Sequence, residues 1–256
     1  MPTGAITQYI DVAQLVLYAF WIFFAGLIFY LLRENKREGY PLEMEGNGRV
    51  IAEGFPSMPS PKTYLLRSGR VMMAPNPQRE MATPNGVPFA NHFGAPLEPI
   101  GNPMLAAIGP GAYAMRPDIP DLTATDKPRI VPLRADATMS IGPKDIDPRG
   151  LPVIGTDGAV GGVVRDLWVD RAEIMFRYIE VEVRGAADAR TVLLPMNFAR
   201  VKERGVMVDA ITGAQFADVP RLKSDIQITM LEEERVMAYY GAGTLYATPA
   251  RSEPLL

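Results

Sequence analysis

Residues 12–32 read VAQLVLYAFWIFFAGLIFYLL, 21 positions without a charged side chain. At about 1.5 Å per residue a helix of that length spans roughly 31 Å, which matches a hydrocarbon core of about 30 Å. The stretch predicts a transmembrane helix, and the rest of the chain is placed relative to it. The alternatives are a cleaved signal peptide and a fully buried core helix. A signal peptide has a basic leading segment, a shorter apolar core and a small-residue cleavage site. Here MPTGAITQYID at residues 1–11 contains no Lys or Arg, and the apolar run is too long. The flanks set the orientation: only Asp11 is charged before the helix, whereas Arg33, Lys36 and Arg37 follow it. The positive-inside rule then puts the N-terminus outside and the C-terminal bulk in the cytoplasm. Tyr9, Tyr18, Tyr30 and Tyr40 are the candidate interfacial aromatics, with Trp21 and the Phe residues deeper.

Composition narrows what the remainder does. One membrane span with no ionisable residue inside it does not make a channel or transporter. A net charge of -3 and a pI near 5.4 argue against nucleic acid as a partner, because such proteins present a basic face. The chain has no Cys, which excludes disulfides and thiolate metal sites, and a single His, His92 in the loop-like VPFANHFGAP at 87–96. A multi-histidine metal site is therefore impossible, and a catalytic triad would have to run through that one residue. There is no phosphate-binding GxxxxGK[ST] loop, and Gly241-Ala-Gly243 lacks the context of a dinucleotide fingerprint. The chain reads as non-enzymatic, with no metal or cofactor site of its own.

Taken in order, the chain divides into a periplasmic end (1–11), the membrane helix (12–32), an extended Pro-rich segment (33–149) and a folded domain (150–256). In RENKREGYPLE at 33–43 the helix is expected to run on for a turn or two until Gly39 and Pro41 stop it. Residues 54–152 hold 18 of the 24 prolines, interleaved with apolar clusters such as TYLL and MLAAI. Disordered tethers are poor in apolar residues, so this segment is expected to run extended over a partner's surface. After Gly150 short alternating runs between turn residues predict an all-β fold. Val163, Leu167 and Val169 are expected to share one buried face; Ile179, Val181 and Val183 alternate with Tyr178, Glu180 and Glu182. Further strands are predicted at Arg190–Leu194, Gly205–Ile211 and Asp225–Thr229, with turns at 155–162 and 184–189. Five or six short strands fit a small, bent antiparallel sheet or barrel, which removes exposed edges. A C-terminal helix is predicted over Met230–Tyr240, with Glu232, Glu233 and Glu234 in its first turns and Gly241 and Gly243 at its end.

Several strings together carry a resemblance: FWIFFAGLIFYLLRENKREGYPLE (20–43), PKTYLL (61–66), GLPVIGTDG (150–158), VVRDLWVD (163–170), LLPM (193–196) and LEEERVMAYYGAGTLYATP (231–249). Over nearly its whole length the chain resembles the H subunit of the photosynthetic reaction centre of purple bacteria, whose cytoplasmic fold is a small β-barrel, the PRC barrel. The resemblance implies a subunit of the inner (intracytoplasmic) membrane that binds no pigment itself and caps the cytoplasmic face of the L and M subunits. It would stabilise the secondary quinone site and carry a proton route to that quinone. Bacteriochlorophyll, bacteriopheophytin, quinones, non-haem iron and carotenoid are implied on L and M, and membrane lipids beside the helix. A cytochrome subunit and a light-harvesting ring in the same complex are left open. The implied proton-transfer residues fall at Asp170, Glu173 and Arg177, in WVDRAEIMFR. Reduction of a quinone to quinol takes up two protons, so a buried quinone needs carboxylates and water within hydrogen-bond reach.

The chain departs from the family in one stretch. Where some members carry an acid and two histidines that take up protons and bind divalent metal, residues 122–130 read LTATDKPRI, with Thr123, Thr125 and Lys127 at those positions. No metal site is expected there, and Asp126 becomes the candidate surface carboxylate, with Lys127 and Arg129 nearby. The competing reading of the whole chain is a single-pass membrane adaptor whose PRC barrel binds a soluble protein. Near-infrared bacteriochlorophyll absorbance of the native assembly separates the two.

Overall fold

The computed structural model describes residues 4, 6, 10–42, 54–67, 69–76, 84–92, 94–185 and 190–252. Tyr9, residue 43 and the end of the 184–189 turn lie outside them. The chain forms two compact units, Met1–Arg79 and Glu80–Leu256.

In the first unit α1 runs Val12–Glu34, 23 residues, with none of its side chains buried. Its start is capped by Asp11, whose carboxylate accepts the Gln14 N–H at 2.7 Å, one of the donors a helix leaves unpaired. The helix tightens into a 3-10 turn, Asn35–Arg37, and the left-handed Gly39 (φ +75°) follows. The charged residues beyond the apolar run fold back and bind. Glu34 accepts from Arg37 Nε and Lys62 Nζ, both at 2.7 Å, and Arg37 Nη1 donates to the carbonyls of Ser60 and Ala74. These bonds tie the helix end to a hairpin of β1 (Lys62–Leu65) and β2 (Val71–Ala74), paired antiparallel with Lys62 opposite Ala74. Both faces of that hairpin expose apolar side chains, Tyr64 and Met72 on one, Leu65, Val71 and Met73 on the other.

The second unit holds a small hairpin of β3 (Gly86–Pro88) and β4 (Leu97–Pro99) and a seven-stranded sheet. Its strands are β5 (Ile130–Pro132), β6 (Pro152–Ile154), β7 (Val160–Asp170), β8 (Met175–Val183), β9 (Thr191–Pro195), β10 (Ala199–Lys202) and β11 (Gly205–Val208). The row runs β10-β11-β6-β7-β8-β9, with β5 also on β7. Pairing is antiparallel except between β6 and β11, which are parallel. Bulges in the β6–β7 and β7–β8 ladders bend the sheet around a core that includes Trp168, Ile179, Val181, Leu194 and Phe216. The helix α2, Met230–Tyr246, packs on this unit and starts in a capping box, Thr229 and Glu232 each accepting the other's backbone N–H.

Several expectations change. The bulge between Val164 and Asp166 shifts the alternation, so Val164 is buried and Val163 is 44% exposed. Tyr178 and Glu180 are buried along with Ile179 and Val181, so this strand is covered on both faces there. Asp225–Thr229 is not a strand; only Thr229 makes an isolated bridge, to Pro120. Gly241 and Gly243 sit inside α2. A Cβ on Gly241 would lie 2.4 Å from the Pro110 carbonyl oxygen, and one on Gly243 2.4 Å from that of Ala210. These glycines let the helix approach its neighbours closely, and α2 continues to Tyr246. The Pro-rich segment is partly internal: Met104, Ala106 and Ile108 are buried within the unit, the 3-10 turns at 103–105 and 109–111 pack on α2, and Ile130, Val131 and Leu133 join the core of the sheet. The folded domain therefore starts well ahead of Gly150.

Candidate functional site

The site is built on the turn joining β7 to β8. Asp170, the last residue of β7, is fully buried, and its Oδ1 accepts the backbone N–H of Ala172 at 2.9 Å and of Glu173 at 3.1 Å. This side-chain-to-backbone capping is what Asp does well at a turn. Opposite it, Ile130 of β5 pairs with Asp170, and that register brings in Arg129. The Arg129 Nε lies 3.0 and 2.9 Å from the two Asp170 carboxylate oxygens. Its Nη2 donates to Glu173 at 2.5 Å and its Nη1 to Asp121 at 3.3 Å. Arg177, two residues into β8, completes the cluster, with Nε 3.3 Å from Asp170 and Nη2 2.9 Å from Glu173.

Three carboxylates and two guanidiniums thus share one network, graded in exposure. The Asp170 side chain is 1% exposed, whereas that of Glu173 is 46% exposed. Burial pushes the Asp170 carboxyl upward, but the Arg129 hydrogen bond, the two backbone N–H groups and the Arg129 charge together outweigh it and hold the group below the usual carboxylate range. The hydrogen bond from Arg129 to Asp170 in turn raises the guanidinium's affinity for its proton.

A cleft of about 520 Å³ adjoins this cluster, lined by Arg177, Arg116, Tyr178, Glu233, Glu234 and Met237 among others. The Tyr178 hydroxyl donates to Glu233 at 3.0 Å. Burial raises the Glu233 pKa, against the opposing hydrogen bond from Tyr178; burial, then the Glu233 charge, lifts Tyr178 far above its ordinary value.

Asp170, Glu173 and Arg177 therefore come together, as a cluster eight residues long suggests. Asp126 belongs to the preceding turn, where its N–H donates to the Thr123 carbonyl at 3.1 Å. It sits in left-handed backbone (φ +59°) within the tight turn where Thr123 and Lys127 are hydrogen bonded, and the Thr123 hydroxyl there is engaged with Thr125 and the Lys127 N–H. Arg129, grouped in sequence with Asp126, binds Asp170, which lies 41 positions away in sequence. Asp121, Tyr178 and Glu233 were not visible as site residues either. Long-range pairing brings them in, and a single sequence carries no signal of it.

The comparisons with known proteins bear on this geometry. A family model described as the photosynthetic reaction centre H-chain N-terminal region matches residues 4–135, half of the chain. The chain belongs to that family. A second model, the PRC-barrel domain, matches residues 145–215, which contain six of the seven strands of the sheet. The H-chain match covers α1, the exposed hairpin and β5. A Deinococcus radiodurans protein described as an uncharacterized protein is 31% identical over 98 residues, 38% of this chain and 36% of that protein, so the chain spans about a third of the length of the curated relative it matches. With one helix among the described residues long and apolar enough to cross a membrane, this H-chain family protein fits a single-pass membrane protein of photosynthesis carrying a PRC barrel.

Proposed function

We propose that this chain is a non-catalytic subunit of a bacterial photosynthetic reaction centre that caps the cytoplasmic face of L and M, steadies the secondary quinone site and passes protons to the reduced quinone. It lies in the inner membrane with its N-terminus periplasmic and holds no pigment; bacteriochlorophyll, bacteriopheophytin, quinones, non-haem iron and carotenoid belong to L and M. The observation that carries the proton role is the graded cluster, a half-exposed Glu173 wired through Arg129 and Arg177 to the buried Asp170. A carboxylate that can exchange its proton, backed by one held ionised, suits delivery to a group that gains charge with each electron.

The exposed β1–β2 hairpin supports the docking role. Its two faces are apolar, yet a two-stranded ribbon has open backbone edges that hydrocarbon does not accommodate. A protein surface at the level of the helix end is the compatible cover.

Glu173→Gln tests the proton role, because it keeps shape and most hydrogen bonding but removes the titratable proton. Assembly, pigment content and the first electron transfer should survive, and the second, proton-coupled transfer should slow by roughly tenfold or more, as loss of a positioned acid–base group does. Flash-induced quinone turnover across a pH series reads this. Unchanged second-flash kinetics in an intact complex would leave Glu173 as a surface ion pair.

A further inference from the structure

Ile174 closes the β7–β8 turn with φ at +54°. The turn requires that backbone: the Asp170 carbonyl accepts the Ile174 N–H at 2.8 Å while the Asp170 side chain takes those of Ala172 and Glu173. The chain winds once and must then reverse into β8, the manoeuvre that glycine or asparagine performs past a helix end. A β-branched residue is an outlier in that region. The other described non-glycine residues with positive φ are Ala107 and Asp126, one small and one polar, which makes Ile174 the strained case. The side chain gains no burial in exchange: it is 74% exposed, and Met175 beside it is 45% exposed. A strained backbone carrying an exposed aliphatic group stabilises nothing within the chain, so its compensation lies outside it.

We propose that Ile174 is the apolar anchor that seats the β7–β8 turn, and Glu173 with it, in an apolar socket on the cytoplasmic face of the membrane-embedded L and M subunits; this rests on the proposed function. The surroundings suit such an anchor. Its sequence neighbour Glu173, 46% exposed, is ion-paired to Arg177 (39% exposed) and Arg129 (25%), so charges of both signs share the turn with the aliphatic side chain. A central apolar side chain ringed by polar groups is the arrangement in which a few residues carry most of an interface. It also explains why the turn keeps isoleucine where asparagine would relax it.

The test uses the full-length chain and the variants Ile174→Asn and Ile174→Leu, each recombined with an L–M complex stripped of its native third subunit. Asn suits the positive φ and removes the apolar group. That chain alone should melt about 2–4 °C higher than wild type, yet bind L–M roughly tenfold or more weakly. Leu keeps the apolar bulk and should restore binding to near wild type. Wild-type binding by the Asn variant would overturn the anchor while leaving the proton role of Glu173 standing. Equal loss in the Asn and Leu variants would overturn it too, since backbone geometry would then be at work. Failure of the wild-type chain to bind L–M would sink the proposed function and the anchor together.

Discussion

Asp170→Asn isolates what the buried carboxylate contributes to the fold. Asp170 is fully buried and accepts from Arg129, Arg177 and two backbone N–H groups. Removing one partner of a buried ion pair costs about 3–5 kcal/mol when the other is left stranded. Here Arg129 is a quarter exposed and keeps Glu173 and Asp121, and the Asn oxygen still accepts the turn's N–H groups. The loss should therefore fall to about 2 kcal/mol, within the ~1.5–3 kcal/mol of a hydrogen bond to a charged group. At about 2–4 °C per kcal/mol for a domain of this size, the melting midpoint should drop by about 4–8 °C. Trp168 is buried and the other Trp, Trp21, lies in α1, so a Trp21→Phe background makes fluorescence of the full-length chain report the barrel. The effect also has a pH signature. The folded pKa of Asp170 is depressed below the unfolded value near 3.9, so its contribution is fully present above about pH 4 and fades as pH falls through the folded pKa. The gap between wild type and variant should be widest near neutrality and shrink in acid. An Asn variant that melts with wild type at pH 7, or a gap that stays constant down to acid unfolding, would refute this account.

Two further outcomes follow from single positions, besides those set out for Glu173 and Ile174. Gly241→Ala should destabilise by about 1–3 kcal/mol, as overpacking does, because its Cβ would meet the Pro110 carbonyl; a gain of about 1 kcal/mol from helix propensity would mean the contact gives way, and thermal melting decides. Zinc and cadmium should bind the 122–130 stretch only in the millimolar range or weaker, because Thr hydroxyls and a Lys ammonium are poor ligands for them and no three His, Asp or Glu side chains gather as a site among the described residues. Proton uptake followed with a pH indicator should then resist both ions, and micromolar inhibition would contradict it.

How much of this was legible depended on the range of the information. The membrane helix and β8 declare themselves through composition and a period of two, both local signals. β5, β6 and β10 are three or four residues long, too short for a period to develop, and are held by neighbours. The bulges in β7 invert the alternation that sequence alone must assume unbroken. Gly241 and Gly243 misled for a related reason. Glycine ends helices and also admits close neighbours, and only Pro110 and Ala210, both distant in sequence, decide between those roles. In the site, Asp170, Glu173 and Arg177 share one turn and one strand end, whereas Arg129, which holds them together, enters by strand register.

The barrel contains a second cluster that sharpens what makes the first one functional. Four residues before Asp170 on β7, Asp166 binds Arg134, which also pairs with Glu180; Glu180 further accepts from Arg165 and from the Trp168 indole N–H at 3.0 Å. Both clusters join an Asp of β7 to an Arg just before or just after β5 and to a Glu, so residue types alone do not distinguish them. Exposure does: the Glu180 side chain is 3% exposed and held by three donors, while that of Glu173 is 46% exposed and held by two. A carboxylate buried beneath arginines and an indole fastens the strands. One at the rim of the same architecture keeps the electrostatic support and stays open to its surroundings. The proton-handling role proposed above rests on where the turn after β7 leaves Glu173, and the anchoring proposed for its strained neighbour Ile174 would position that carboxylate without taking part in the chemistry.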